Sequence, residues 1–433
     1  MNKIFYFFII FILISECSLN KNSKFWTSTK NIQKENNIEY EEVFSNEGAL
    51  KKELNTNLKI KLKNKNFRKI STNNYNNTGQ LNFDGDLKES ISYRFSKIKN
   101  FNQLEPEISF YKDNVIFFDN KGSILRFNNE SDLIWKKNYY SKVEQKMGPV
   151  LELENNGKYI IVADNFSKYY MLDIFTGKQL WIKNNLAPFN SQIKIYKDKF
   201  FIIDFSNTLR CFSLKNGDEL WNIKTENTLI KSQKKLSMVI IDEVVYFNNS
   251  IGDISAVEIN KGELLWQLPT QSSLIYESAF SLETSDIITD KENLFLSNNK
   301  NQLFSINAAT GTINWENKVN SNIRSIIIDE FIFTISIEGY LVILEKNSGN
   351  IIRVTDVFKN FRQKKIDDVS PTGFIIGLKN IYLSTDKGRL LVIDILSGKI
   401  KSTLKIDNDK ISKPFIQGKN LFLIKDNAII KLN

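Results

Sequence analysis

Thr176-Gly177-Lys178-Gln179-Leu180-Trp181 recurs along the chain as Asn216-Gly217-Asp218-Glu219-Leu220-Trp221, Lys261-Gly262-Glu263-Leu264-Leu265-Trp266 and Thr310-Gly311-Thr312-Ile313-Asn314-Trp315. In every copy Trp follows Gly by four positions. Ser131-Asp132-Leu133-Ile134-Trp135 is a degenerate copy, and Ser348-Gly349 and Ser397-Gly398 keep the glycine while Arg353 and Ser402 take the Trp position. The steps from Trp135 through Ser402 are 46, 40, 45, 49, 38 and 49 residues. Periods of this size indicate a propeller or a solenoid.

The order inside each step decides between the two. Asn380 to Ser384 reads as an apolar strand, Asp386-Lys387-Gly388 as a turn, Arg389 to Ile395 as a second strand and Ser397-Gly398 as another turn, with a third strand from Ile400. Tyr159 to Asp164 with Tyr169 to Ile174, Phe200 to Asp204 with Leu209 to Leu214, and Val244 to Asn248 with Ile254 to Ile259 repeat the scheme. β-branched and aromatic residues dominate the runs, while Gly, Asn, Asp and Ser hold the turns. A further strand precedes each trio, as in Gln192 to Tyr196 and Ser325 to Asp329. The predicted unit is therefore a blade of four antiparallel strands. Seven units run from about Glu107 to Ile406, and the last, Asn420 to Ile424 followed by Ala428 to Leu432, lacks its outermost strand. Ser90 to Phe95 can supply it, with Phe95 near the Trp position. The fold class predicted is all-β, an eight-bladed propeller over 81–433 whose ring closes by pairing the two chain ends, which hides open edges. Gly at 177, 217, 262, 311, 349 and 398 is read as permitting the tight turn into the outer strand. Trp135, Trp181, Trp221, Trp266 and Trp315 are read as structural, buried between blades with the indole N–H on a carbonyl.

Outside the repeats, Lys3 precedes an apolar run, Ile4 to Ile14, too short to span a bilayer. Residues 1–16 read as a signal peptide. Cys17 sits where a lipoprotein carries its acylated cysteine, although Glu16 is not the small residue expected before it; cleavage nearby and an uncleaved anchor are the alternatives. Residues 17–80, rich in Asn, Lys, Glu and Ser, read as a flexible tether, within which Leu58 to Leu62 alternates as a strand would. The other cysteine, Cys211, falls in an apolar strand and reads as a buried hydrophobe. The chain has no histidine, which removes the commonest general base and metal ligand. The net charge of +10 is spread over the whole sequence with no dense basic run, so nucleic acid is not an expected partner.

The Gly-x-x-x-Trp repeats resemble the PQQ-like repeat family, and together with the lipoprotein signal 90–433 resembles the BamB-like lipoproteins of the outer-membrane β-barrel assembly machinery. That resemblance implies a non-enzymatic scaffold with no cofactor, no metal and no catalytic residue. It implies a lipid-anchored protein on the periplasmic face of the outer membrane, since Ser18 rather than Asp follows Cys17. The partners implied are the periplasmic domains of the barrel insertase and, beyond them, unfolded outer-membrane proteins. By the same resemblance, Leu229, Ile230 and Lys231 after the third Trp of the series, and Glu283 and Asp286 after the fourth, are the candidate docking residues. A quinoprotein dehydrogenase shares the repeat but needs adjacent cysteines over its cofactor, and the chain has none. A propeller adaptor with another envelope partner is the remaining alternative.

Overall fold

The computed structural model describes residues 50, 52–63, 67, 74–88, 90–226, 232–271, 282–363 and 368–433. The expected signal peptide, Cys17 and 17–49 of the expected tether lie outside the described residues.

Among the described residues the strands form eight four-stranded antiparallel sheets. Seven are consecutive in sequence: blade 1 (109–137), blade 2 (151–184), blade 3 (194–224), blade 4 (238–268), blade 5 (288–317), blade 6 (326–356) and blade 7 (371–405). Blade 8 takes three strands from 415–432 and its outermost from Ser90–Arg94, in register from Ser90 opposite Leu432 to Arg94 opposite Ala428. The ring thus closes between the chain ends as the repeat arithmetic requires. The first strands of blades 1 to 4 lie against one another in turn, nearest the axis. The middle strands are buried on both faces and mostly apolar after their first residue, as in Lys199–Ile203 and Asn293–Asn298. The outermost strands alternate exposed and covered residues, as Gln179–Asn184 does. This is the pattern of a strand with one face packed.

The Gly-x-x-x-Trp spacing has a specific structural cause. In blades 1 to 7 the pairing of the third and fourth strands skips the residue directly before the Trp position, as at Leu220, where Cys211 faces Trp221 and Phe212 faces Glu219. The bulge turns the Trp toward the next blade. There its indole N–H donates to the carbonyl that opens the following blade's turn: Trp135 to Ile174 (3.2 Å), Trp181 to Leu214 (3.1 Å), Trp221 to Ile259 (2.9 Å), Trp266 to Ala308 (3.0 Å) and Trp315 to Lys346 (2.9 Å). Three residues beyond that carbonyl stands the glycine. A Cβ on Gly262 would lie 2.5 Å from the Trp221 ring, and one on Gly311 2.6 Å from Trp266. The glycine is therefore required twice, by a positive φ of about 70° and by the ring of the preceding blade lying on its bare Cα.

Three blades depart from the motif, and each departure is compensated. Arg353, fully buried at the Trp position of blade 6, donates to the carbonyls of Ile395 (3.4 Å) and Leu396, and to that of Leu58 (3.0 Å). Burial pushes its guanidinium down to about 10. In blade 7 Ser402 brings no ring, and Phe83 of the amino-terminal segment packs on Tyr382 of that blade, the ring centroids 5.1 Å apart. Tyr382 occupies the register position at which Phe201, Tyr246 and Phe295 meet the tryptophans of their own blades. In blade 8 the register places Ile91, not Phe95, at the Trp position. The expectation for Phe95 is corrected accordingly; it packs on Phe117 at 5.0 Å.

The described part of the expected tether lies against the ring. Leu54 exchanges both backbone hydrogen bonds with Val354 (3.0 Å each) on the outer edge of blade 6. Ile60 is buried in the core shared by blades 6 and 7. Residues 74–81 cross the inner ends of several blades, with Asn74, Tyr75 and Leu81 bonded to Ile240, Thr289 and Ile376.

The lock between blades predicts two costs. Trp221→Ala should destabilise the fold by roughly 3–5 kcal/mol, the range for large aromatic truncations. Gly262→Ala should be destabilising as well, although it adds only one methyl group. Both are measured by chemical denaturation; a Gly262→Ala variant as stable as the parent would refute the role given to the bare Cα.

Candidate interaction site

Two neighbouring turn families alternate around the ring. The connections between blades open on the same face as the turns between second and third strands, and at the centre of that face the channel mouth is a cavity of about 520 Å³ lined by Glu105, Glu152, Lys234, Lys235, Glu283 and Lys413. Beneath the mouth the amino-terminal segment crosses the channel, Thr78 lining a pocket with Glu105, Glu107 and Lys234. The Asn76 side-chain amide donates to Gln192 (3.2 Å), Ser237 (3.1 Å) and the carbonyls of Met238 (3.2 Å) and Ile287 (2.9 Å), while its oxygen accepts from Lys194 (2.6 Å). One side chain thereby joins blades 3 and 4 to the connection entering blade 5.

Below the mouth, charges from seven blades, or from the connections that enter them, meet. Glu107 of blade 1 faces Lys235 (3.8 Å), Arg324 (3.4 Å) and Lys413. Arg324 also holds Asp286 at 2.5 Å, Lys235 holds Glu152 at 3.0 Å, and Lys234 pairs with Glu105. The side chains of Glu107, Asp286, Arg324 and Lys235 are each about one-fifth exposed or less. In such surroundings unpaired charges are costly, and pairing is what keeps them ionised. Burial pushes the Asp286 carboxyl up, but Arg324 and Lys413 outweigh it and hold the group well below the usual carboxylate range. The same balance, with Lys413, Lys235 and Arg324 opposing burial, lowers Glu107. Glu152 and Glu154 have fewer cations, and burial raises both to about 7; for Glu154 the attraction of Lys194 is partly undone by Glu107 and Glu152. Burial pushes Lys194 down to about 8 against the pull of Glu154.

Of the residues expected to dock a partner, Leu229, Ile230 and Lys231 lie outside the described residues. Glu283 lines the mouth, where its carboxylate accepts from the Asn322 amide. Asp286 stands deeper in the channel, its carboxylate already bound by Arg324. The pair therefore sits on one wall of the channel, one member facing outward and the other tied inward. The remaining charges were not singled out from the sequence, yet a positional signal exists. Glu107, Asp286, Arg324 and Lys413 each stand two residues before the first strand of a blade, at Ser109, Ile288, Ile326 and Phe415. Aligning the repeats on that strand, rather than on the Trp, superposes them.

Residues 120–355, more than half of the chain and covering most of blades 1 to 6, match the family described as outer membrane protein assembly factor BamB. The chain belongs to this family. No match is found among curated proteins. Among solved structures, BamB from Moraxella catarrhalis superposes with a TM-score of 0.63 at 15% identity, over 79% of this chain and 100% of that one. Quinohemoprotein alcohol dehydrogenase from Comamonas testosteroni gives 0.60 at 9% identity, over 83% and 78%. The computationally designed Ika8 protein gives 0.59 at 11%, over 78% and 99%. At these identities the superpositions establish a shared fold, while family membership comes from the sequence. Among the described residues no group of three or more His, Cys, Asp or Glu is arranged to hold a metal ion.

The buried glutamates of this BamB-family chain give its stability a definite pH dependence. Burial raises Glu152 and Glu154 in the folded state from 4.5 to about 7, so these two groups hold more protons in the folded protein than in the unfolded chain between those limits. Stability contributed by the protonated forms is full below about 4.5 and is lost as pH rises through 7. Glu154→Gln, which cannot ionise, should shrink the fall in melting temperature between pH 5 and pH 8 and raise stability at pH 8 by about 1–3 kcal/mol. An unchanged pH slope would show that Glu154 is not held protonated.

Proposed function

We propose that the protein is a non-enzymatic scaffold subunit of the outer-membrane β-barrel assembly machinery. It is tethered through Cys17 to the periplasmic face of the outer membrane and binds the periplasmic domains of the barrel insertase. The observation carrying this reading is the match of 120–355 to the assembly-factor family, which falls on the propeller itself. The chemistry of the mouth supports it. Its charged side chains are engaged with one another, an arrangement suited to holding inner strands together rather than to attacking a substrate.

Docking is assigned to the face that carries the interblade connections. Leu229 and Ile230 supply apolar anchors, which carry affinity in interfaces, and Lys231 sets orientation and approach. Glu283, at the rim of the mouth, offers a carboxylate to a basic group on the partner, with Asp286 behind it fixing the acidic wall.

The test is co-purification of the barrel insertase with the tagged protein from detergent-solubilised envelopes. The triple variant Leu229→Ala, Ile230→Ala, Lys231→Glu should keep the parent melting temperature and lose the insertase by at least tenfold. Retention of the insertase by the folded variant would move the interface elsewhere on the ring, and its absence from the wild-type preparation would refute the function.

A further inference from the structure

The connection from blade 1 to blade 2 contains a short helix, Lys142–Met147, whose two sides differ. Ser141 and Glu144 form a capping box that fixes its start. The inner side is tied to the ring: Glu144 pairs with Lys168 at 2.7 Å, and the Gln145 amide donates to Asn138 (3.1 Å) and to the Tyr140 carbonyl (2.8 Å). The outer side presents Val143 and Met147, four residues apart and so neighbours on one face. They are 70% and 65% exposed. Lys142 and Lys146 flank them and are exposed as well.

The surroundings continue the pattern. Leu186, in the connection from blade 2 to blade 3, is 97% exposed. It stands beside the same turn as the helix, since Asn185 donates its N–H to the Ser167 carbonyl (2.7 Å) while Lys168 holds Glu144. On the other flank Gly148 ends the helix beside Asn120, whose side chain accepts from the Lys99 N–H (3.0 Å). Lys99 and Lys121, on either side of this junction, are exposed. Lys97 is paired with Asp426 at 2.7 Å, but among the described residues Lys99, Lys121, Lys142 and Lys146 have no carboxylate within ion-pair distance.

Three apolar side chains thus stand out of the surface among four lysines, on the face of the interblade connections and over blades 8, 1 and 2. Protein interfaces are depleted of lysine at their centres and seat apolar anchors in pockets. Protruding apolar groups beside lysines instead suit a surface that yields to them and carries negative charge. We propose that this sector of the ring rests on an anionic lipid bilayer. Val143, Met147 and Leu186 enter the headgroup region, and Lys99, Lys121, Lys142 and Lys146 meet lipid phosphates. The contact fixes the orientation of the ring at the membrane, which an acyl chain on Cys17 does not set, and it leaves the loops over blades 3 to 5 to a protein partner. That the bilayer is the outer membrane rests on the function proposed above; the patch itself does not.

The probe is an environment-sensitive nitrobenzoxadiazole label placed singly through Met147→Cys, Leu186→Cys or, in an exposed turn on the opposite face, Asn216→Cys. The full chain also carries Cys17→Ser, so that no acyl chain is present, while Cys211 is buried and takes no label. Each label reads the surroundings of its own residue, whatever else in the chain holds a vesicle. On vesicles of phosphatidylethanolamine with about one-third phosphatidylglycerol, the labels at 147 and 186 should shift to the blue and brighten at least twofold, and the label at 216 should not change. Vesicles of phosphatidylcholine alone should give no response. Lys99→Glu, Lys121→Glu, Lys142→Glu and Lys146→Glu together should abolish it, as should about 1 M salt, which needs no substitution and decides the matter if the fourfold variant folds poorly. The proposal is overturned if the labels at 147 and 186 do not respond, if the one at 216 responds equally, or if neutral lipid, salt and charge reversal leave the response intact. It is also overturned if the response grows with protein concentration without vesicles, which would mark a contact between copies, or arises only on adding purified insertase, which would mark a protein interface. The vesicles hold no insertase, so failure here leaves the co-purification test standing, and the converse also holds.

Discussion

Everything in this ring hangs on an indole ring laid over a Cα that has no side chain. The tryptophan of one blade crosses to the next, donates its N–H to the first carbonyl of that blade's turn, and rests on the glycine three residues later. Dispersion, a hydrogen bond and a backbone conformation that favours glycine are satisfied by the same contact. Because the contact links blade to blade, no blade is complete without its successor, and a ring has no last blade to leave uncapped. The closing pair of Ser90–Arg94 with Ala428–Leu432 follows from that requirement.

The exceptions reveal what the contact needs. Arg353 keeps the hydrogen bond and a planar group but brings a charge into a buried site, and its burial lowers the guanidinium. Three carbonyls gather around it, one of them from Leu58 in the amino-terminal segment. Ser402 keeps nothing, and Phe83 restores the aromatic contact from outside the repeat. Blade 8 reaches blade 1 with Tyr93, whose hydroxyl donates to the Asn129 carbonyl (3.0 Å). Parts of the amino-terminal segment, Leu58 and Phe83, thus meet the ring where the repeat has decayed, at blades 6 and 7, and supply contacts that the repeat no longer makes there.

Blade number, strand order and ring closure were legible because a period of 38 to 49 residues and a two-residue strand alternation survive in the sequence. The Trp position of blade 8 was misjudged because no turn glycine precedes it: its outer strand arrives from the other end of the chain, without the bulge that sets the spacing in blades 1 to 7. The packing of Leu54, Ile60, Asn76 and Phe83 was not legible. Their surroundings are rich in Asn and Lys, and single apolar residues spaced along such a stretch have no period from which to read a partner. Asp286 and Glu283 were reached through resemblance. The charges they live among are spread over some 300 residues of sequence, and only repeat alignment on the inner strand brings them together.

The lock also explains where free surface remains. It consumes the side of each outer strand that bears the tryptophan and leaves the outward hydrogen-bonding edge untouched, so a propeller of this design carries one open edge per blade. Such edges are ordinarily blunted by charge, as Lys136 and Glu316 do here. A sequence that keeps Leu180 and Ile182 exposed on one edge while covering the matching Ile352 and Val354 with its own chain treats two equivalent edges differently. Polar interior charges cannot account for that difference, since they lie near the axis, at the other side of the blade. On blade 6 the chain covers that edge itself, through the single residue Leu54 bridged to Val354.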